Sequence, residues 1–276
     1  MSTQPSYAQQ ALAEIQRRDE TDYLFNWPTY FGWNILTLGL VYTHVATYRL
    51  IARRREHVAR RLRLFSYLWY ALAERADEVG RRAEVQEGLD NLARIHTQIE
   101  SYEKAHAQDP KMWAIIRAIV RIGYVLAVVW ISSRVDESGD IPDATSFDQI
   151  VAIVFFVCAF GSIAVGTFIN NFLHNDFRFL DAWERSYGEN VLWVFGRLGP
   201  DLPTPSPTPS GREAVPKRNT ALYLVLSIVT IGLFGIFWRY TLMADGNAHF
   251  HSDATMEDVI AHGLRGTAPL QLRLPG

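Results

Sequence analysis

Two arginines four residues apart, Arg117 and Arg121, have the clearest potential for chemistry in this sequence. That spacing places both side chains on one face of a helix, and they lie in an apolar stretch at residues 111–133. Arg121 lies about 15 Å along such a helix, deep for a side chain that must reach back to water. A positive pair at that depth could line an anion path or hold a lipid phosphate. The alternative is a helix that begins near residue 122, with both arginines outside the membrane.

His44 is a second candidate, because it lies in another apolar stretch. An ionisable group at membrane depth is a functional candidate, here as a proton relay or a ligand. No acidic residue lies within the apolar stretches to act as its partner. A neutral histidine that is hydrogen-bonded to a neighbouring helix is therefore the other interpretation.

The segment after residue 243 alternates residues that commonly bind metals. They are Asp245, Asn247, His249, His251 and Asp253. The calcium-loop template fails at its glycine and glutamate positions. The His-x-His pair with Asp253 suits zinc, but it lies in a short polar segment that we expect to be a solvated tail. The sequence therefore predicts no metal site and no cofactor.

Four apolar segments must position these residues. The nineteen uncharged residues at 220–238 would form a helix about 28 Å long, close to the hydrocarbon thickness of a bilayer. Residues 150–169 also carry no charge. The predicted fold is all-α, a polytopic membrane protein with about four transmembrane helices, at residues 27–50, 109–133, 149–173 and 218–243.

A cytoplasmic helical hairpin is predicted at residues 51–108. A basic cluster directly after a membrane helix stays in the cytoplasm, and it could also bind anionic lipid head groups. The cluster comprises Arg53, Arg54, Arg55, Arg60, Arg61 and Arg63. Further on, Val85, Leu89, Leu92 and Ile99 form an apolar stripe that needs a partner. We expect that partner to be the helix that leaves the first membrane segment, or a second protomer in a coiled coil.

The remaining segments complete the predicted topology. They are a polar N-terminal segment at 1–26, an acidic outside loop at 134–148, an amphipathic helix at 174–199, a proline-rich linker at 200–217 and the tail at 244–276. With four spans, both termini lie outside and the arginine-rich hairpin lies inside. In a competing arrangement one apolar segment is re-entrant, and both termini lie inside.

The first and fourth apolar segments repeat one pattern at an offset of 193 residues. Each has Thr-x-Gly after a tyrosine and ends in an aromatic–arginine pair. The motif residues are Thr37, Gly39, Thr230, Gly232, Trp238 and Arg239. This signature resembles an uncharacterised family of small bacterial membrane proteins with Thr-x-Gly-Ile-Tyr-x-x-Tyr/Trp-Trp. The resemblance implies a bacterial inner-membrane location and assigns no chemistry.

Composition narrows the function. There are 27 basic and 29 acidic residues, so no strongly basic domain is available for nucleic acid. A single cysteine, Cys158, excludes an intramolecular disulfide. No catalytic motif is found, so we expect no enzyme.

Two function classes remain. The first is a structural, regulatory or interaction protein that acts through its cytoplasmic hairpin, as a homo-oligomer or with a membrane partner. The alternative is an anion-conducting channel or transporter built on the two related motif helices, inverted relative to each other in the four-span topology.

Overall fold

The computed structural model describes residues 5–37, 42–135, 145–199, 215–230 and 233–267. These residues form nine α-helices and no strand. The helices are α1 (Tyr7–Gln16), α2 (Arg18–Thr21), α3 (Trp27–Leu36), α4 (Tyr42–Glu78), α5 (Arg82–His106), α6 (Pro110–Arg134), α7 (Ser146–Leu198), α8 (Thr220–Val229) and α9 (Leu233–Thr267). The predicted all-α class is confirmed. Most of the predicted acidic loop and proline-rich linker, together with Gly39 and Gly232, lie outside the described residues.

Two helical stretches are long and apolar enough to cross a membrane. One lies within Arg82–Arg134, where it corresponds to α6, and the other within Ser146–Leu198. Only 6% and 0% of their apolar windows are buried inside the protein. The core helix of a soluble protein would be mostly buried, so these two helices have the exposed apolar surface that a lipid environment requires. The predicted count of four spans is not confirmed.

The first and fourth apolar segments each divide into two helices. A ten-residue helix, α3 or α8, ends at its threonine, and a long helix, α4 or α9, begins a few residues later. Asn26 and Asn219 cap the two short helices in the same way, each accepting a hydrogen bond from a backbone N–H three residues on. Ten helical residues cover about 15 Å, half of a hydrocarbon core.

Each short helix folds back against the long helix that follows it. The Arg53 Nη1 on α4 donates to the Tyr23 carbonyl, which precedes α3, at 2.9 Å. Arg218, which precedes α8, pairs with both carboxylate oxygens of Asp245 on α9 at 2.7 and 2.8 Å. The start of each short helix therefore lies level with the third or fourth turn of its long helix. Each pair is a helical hairpin, which we call the first hairpin (α3 with α4) and the second hairpin (α8 with α9).

The long helices α4 and α9 run in the same direction. Residue numbers rise together along the two helices in the contacts between them: Arg53 with Asn247, His57 with Asp253, and Arg60 with Glu257. The inverted arrangement predicted from the four-span topology is therefore wrong. The physical reason is that each motif segment divides into a short and a long helix that pack against each other.

Outside the apolar half, α1, α4, α5, α7 and α9 enclose one hydrophobic core. The apolar stripe of α5 is buried, and its partners are α4, as predicted, and the second half of α7. Gly88 permits this approach, since a Cβ there would lie 2.7 Å from Val194 Cγ2. The turn before α5 falls at Gly80, whose φ of 68° suits glycine.

The two terminal regions belong to this same core. Ala11 and Ile15 of α1 are buried with Met256 and Ile260 of α9. The prediction of a solvated C-terminal tail is therefore wrong for residues 244–267, because α9 continues to Thr267 and its apolar face is covered. Both terminal helices also share this core with the arginine-rich part of α4, which contradicts placing them on opposite sides of a membrane.

We expect Leu89→Ala to destabilise the protein by about 2–5 kcal/mol, since Leu89 is fully buried and the substitution leaves a cavity. Urea unfolding of detergent-solubilised protein, followed by tryptophan fluorescence, measures the loss. Glu87→Ala on the exposed face of α5 is the control, expected within about 0.5 kcal/mol of wild type. Equal stability of the two variants would contradict the buried α5 stripe.

Candidate functional site

A cavity of about 620 Å³ lies between the two hairpins and the apolar helices α6 and α7. Its size suits a small ligand. Helix α6 contributes Arg117 and Arg121, α9 contributes Arg239, and α4 contributes His44. The three site residues predicted from the sequence are thus brought together, and Arg239 joins them.

The charged side chains that line this cavity are all positive among the described residues. Among the described residues that line it there are three arginines and no aspartate or glutamate. Arg117 is repelled by both Arg121 and Arg239, and its Nη1 donates a hydrogen bond to Thr47 Oγ1 at 3.1 Å. Arg239 is 3% exposed, and its Nη1 makes no hydrogen bond within the described chain. The site therefore has buried donor capacity and positive charge that an anion can satisfy.

Residues at equivalent positions of the two hairpins face this cavity. Asn34 and Ser227, Ile35 and Ile228, and Thr43 and Ile236 are three such pairs, each 193 residues apart. The sequence repeat was visible, but the role of Arg239 in the site was missed because that arginine seemed only to mark a membrane interface. Its signal was the aromatic–arginine pair that closes the motif, since Trp238 directly before it also lines the cavity.

The mouth of the cavity is apolar. Phe31, Ile35, Ile228 and Ile236 line it and are also exposed, with 39% to 57% of their surface accessible. The cavity is amphipathic, because its rim carries exposed apolar side chains and its interior carries guanidinium groups. That combination matches a ligand with an anionic head and an apolar remainder.

The motif threonine closes the second hairpin. Thr230 Oγ1 donates to the Leu226 carbonyl at 2.7 Å and accepts from the Phe234 N–H at 2.9 Å. One hydroxyl thus satisfies the end of α8 and the beginning of α9. Thr37 makes the equivalent bond to the Trp33 carbonyl at 2.8 Å. Trp238 is buried against Tyr223, with ring centroids 5.4 Å apart, so the motif builds the hairpins that carry the cavity wall.

A second group of chemically capable residues lies in the helical core beyond the cavity. We call it the His–carboxylate cluster: His57 on α4, Glu184 on α7, and His249 and Asp253 on α9. All four are buried, and one ligand atom from each lies within 4.8 Å of all the others. Sequence reasoning noticed His249 and Asp253 but not their partners, because His57 and Glu184 are distant in the chain.

The surroundings of this cluster favour positive charge at its imidazoles. Burial opposes protonation of His57, but Asp22 and Glu184 raise its pKa well above the usual value. Burial opposes protonation of His249 as well, and Asp253 and Asp181 raise its pKa. The carboxylates around the cluster therefore favour positive charge in this part of the core, whether a ring proton or a bound metal ion carries it.

Most arginines of the α4 cluster are buried inside the protein. Arg53, Arg54, Arg60 and Arg61 are each at most 2% exposed. Arg54 pairs with Asp176 and Glu103, and Arg60 and Arg61 share Glu257 at 2.7 Å. The predicted binding of anionic lipid by this cluster is wrong for these four residues, because each faces inward.

The fold and the cavity together define a helical protein with two helices apolar enough to cross a membrane and an arginine-lined site beside them. Residues 218–264 match a family described as a domain of unknown function (DUF4234). The match covers α8 and most of α9, so it includes Arg239, His249 and Asp253. It fits the resemblance to an uncharacterised family, for which the signature motif and bacterial origin remain predictions. No curated protein and no solved structure matches the chain.

We expect Thr230→Val to destabilise the second hairpin by about 0.5–1.5 kcal/mol, since it leaves the half-buried Phe234 N–H without the hydroxyl that accepts its hydrogen bond. Thr230→Ser keeps the hydroxyl and should stay close to wild type. Thermal unfolding in detergent measures both. Thr255→Val is the control, because Thr255 makes the same bond to a preceding carbonyl on an exposed face. If Thr230→Val and Thr255→Val behave alike, the threonine does not hold the hairpin.

Proposed function

We propose that this chain is a multi-pass protein of the bacterial inner membrane that binds the phosphate of an anionic lipid in the arginine-lined cavity. The single observation that carries the proposal is the presence of three arginines without a carboxylate among the described lining residues. A charged side chain at the bilayer centre costs about 2.5–3.5 kcal/mol on insertion scales. A bound phosphate offsets that cost, because guanidinium groups donate paired hydrogen bonds to its oxygens.

The apolar rim supports a lipid over a free anion. Phe31, Ile35, Ile228 and Ile236 would surround the acyl part of an amphiphile whose phosphate lies between Arg117, Arg121 and Arg239. A free hydrated anion gains nothing from such a rim. The channel or transporter predicted as the alternative requires the same arginines, so the two functions differ in whether the anion moves across the membrane.

Helix geometry adds to the attraction. Helices α4 and α9 begin beside the cavity, where Thr43, Gly235 and Ile236 contribute to its wall. The first turn of a helix presents unpaired N–H groups and a partial positive charge. Two such ends directed at one site resemble the half-helix binding sites of membrane transporters.

The proposed topology has two full crossings and two re-entrant hairpins. Helix α6 and the first half of α7 cross the membrane, and both hairpins enter from the cytoplasmic side. The reason is that α1, α4 and α9 share one helical core that also contains buried arginines and their acidic partners. A hairpin of about 15 Å depth reaches the middle of the bilayer and returns.

The other predicted function, action through the cytoplasmic hairpin, stays a prediction. The stripe on which it depended is buried by α4 and α7. Removing residues 74–108 would therefore expose the core rather than detach an interaction surface.

We expect Ser6→Cys and Ser252→Cys both to resist a membrane-impermeant thiol reagent in intact cells, in a Cys158→Ser background. Both positions are exposed on the proposed cytoplasmic side. Ser146→Cys, at the start of α7, should be labelled and is the matched control. Permeabilised cells should label all three. Labelling of Ser252→Cys in intact cells would exclude two re-entrant hairpins.

We expect Arg121→Leu and Arg239→Leu each to weaken binding of phosphatidylglycerol roughly 10- to 100-fold, since each removes charged hydrogen bonds worth about 1.5–3 kcal/mol. Binding to detergent-purified protein is measured by native mass spectrometry, with phosphatidylcholine and inorganic phosphate as competitors. Arg55→Leu, on an exposed part of α4, is the control and should bind like wild type.

Three outcomes separate the possibilities. Preferential loss of phosphatidylglycerol in the two cavity variants supports the proposal. Equal displacement by inorganic phosphate, together with anion flux in liposomes that Arg121→Leu abolishes, supports the channel or transporter instead. Undiminished lipid binding in both cavity variants rejects the site.

A further inference from the structure

We propose that the His–carboxylate cluster binds one divalent transition-metal ion of the zinc type, in a closed four-ligand site within the helical core. The ligands would be His57 Nε2, Glu184 Oε2, His249 Nε2 and Asp253 Oδ2. The proposal is independent of the cavity and of lipid binding. It rests on ligand geometry, unsatisfied buried atoms and the groups that surround the ligands.

The helices place the four ligands with little freedom. His249 and Asp253 are four residues apart on α9 and so lie on the same face. His57 approaches from α4 and Glu184 from α7. The side chains of His57, Glu184 and His249 are at most 1% exposed and that of Asp253 is 9% exposed. Burial of this kind excludes bulk water as the group that satisfies them.

Four of the six separations between the ligand atoms have the length of the edges of a tetrahedron. His57 Nε2 lies 3.3 Å from Glu184 Oε2 and 3.4 Å from Asp253 Oδ2. His249 Nε2 lies 3.4 Å from each of the same two oxygens. Zinc bonds to nitrogen and oxygen of about 2.0–2.1 Å in a tetrahedral site imply ligand-to-ligand distances of about 3.3–3.4 Å. All four nitrogen–oxygen edges therefore have the length that a central ion would give them.

Direct hydrogen bonding accounts for these atoms less well. Charge-assisted bonds between nitrogen and carboxylate oxygen are about 2.7–2.9 Å long, shorter than each of the four separations. His249 Nε2 and Asp253 Oδ2, both buried, make no hydrogen bond within the described chain. His57 Nε2 and Glu184 Oε2 form one long hydrogen bond at 3.3 Å, so two of the four converging atoms are left for a group between them.

The outer partners are those that metal-binding histidines use. The other ring nitrogen of His57, Nδ1, lies 2.9 Å from Asp22 Oδ1, and Nδ1 of His249 lies 3.4 Å from Asp181 Oδ1. A carboxylate at Nδ1 keeps the proton there and directs the Nε2 lone pair inward. When the imidazoles are neutral, both Nε2 lone pairs face carboxylate oxygens, and a metal ion at the centre takes the place of the proton that would otherwise lie between nitrogen and oxygen.

The excess of buried carboxylates around the cluster also favours a bound cation. Five buried carboxylates surround the site, from Asp22, Asp181, Glu184, Asp253 and Glu257. Two fully buried guanidinium groups contact them, those of Arg60 and Arg61. Arg61 approaches the non-ligand oxygens of Glu184 and Asp253 at 3.4 and 3.8 Å, so it lies outside the ligand sphere. A divalent ion with neutral imidazoles reduces the remaining negative charge.

The types and number of the ligands limit which metal ion the site would bind and what role that ion would have. Two imidazoles and two carboxylates suit zinc, and also iron(II) or manganese(II), more than calcium or magnesium. Four protein ligands leave no open position for substrate, which is typical of a structural site. The ion would join α4, α7 and α9, the helices that continue from both hairpins and from a membrane-crossing helix.

The test measures metal in the full-length protein, purified in detergent through a tag without histidine. Wild type supplied with zinc is expected to retain about one ion per chain by mass spectrometry of the metal. Chelation should lower its Tm, and zinc should restore it. Cobalt(II) in place of zinc should give the intense visible absorption of a tetrahedral site.

Matched variants on α9 locate the ion. His249→Ala and Asp253→Asn should lose the metal and the cobalt spectrum, whereas His251→Ala and Asp258→Asn, exposed on the same helix, should keep both. If His249→Ala does not fold, the wild-type response to chelation and the cobalt spectrum still decide. The proposal is overturned if the wild-type protein binds neither zinc nor cobalt after loading and its Tm does not change on chelation. Metal retained by His249→Ala, or lost equally by His251→Ala, overturns it as well.

Discussion

The compensation of buried charge is the constraint on which the structure depends. Helix α4 turns Arg54, Arg60 and Arg61 inward, where each pairs with carboxylates from other helices, among them Asp176 on α7 and Glu257 on α9. Such pairs add little net stability, but removing one partner costs about 3–5 kcal/mol. They therefore define which helices meet and in which register. The two long helices can run side by side only in the direction that brings these groups together.

The cavity meets the same constraint differently. Arg117, Arg121 and Arg239 converge where the described lining residues offer no carboxylate. Carboxylates thus neutralise the buried arginines of the helical core, whereas under the proposed function an anionic ligand supplies the negative charge in the cavity. This contrast, more than the presence of arginine itself, distinguishes a binding site from a structural network.

Local patterns predicted local structure well. The all-α class and the apolar stripe of α5 follow from hydrophobic periodicity. The topology was harder to predict from the sequence. An apolar run of nineteen residues is long enough to span a bilayer whether it forms one helix or two shorter ones. Thr230 decides that question through bonds to both helices, which composition does not reveal. The partnership of His57 with His249 was equally hidden, since it depends on two helices running parallel across 192 residues of chain.

The shared direction of the two hairpins has a mechanical consequence in the proposed topology. Both would insert helical volume into the leaflet nearer the helical core, while only α6 and α7 continue through the other leaflet. The cross-section of the protein would then be larger in one leaflet than in its opposite. A molecule of that shape acts as a wedge, and it fits best in a membrane that bends toward its narrower side.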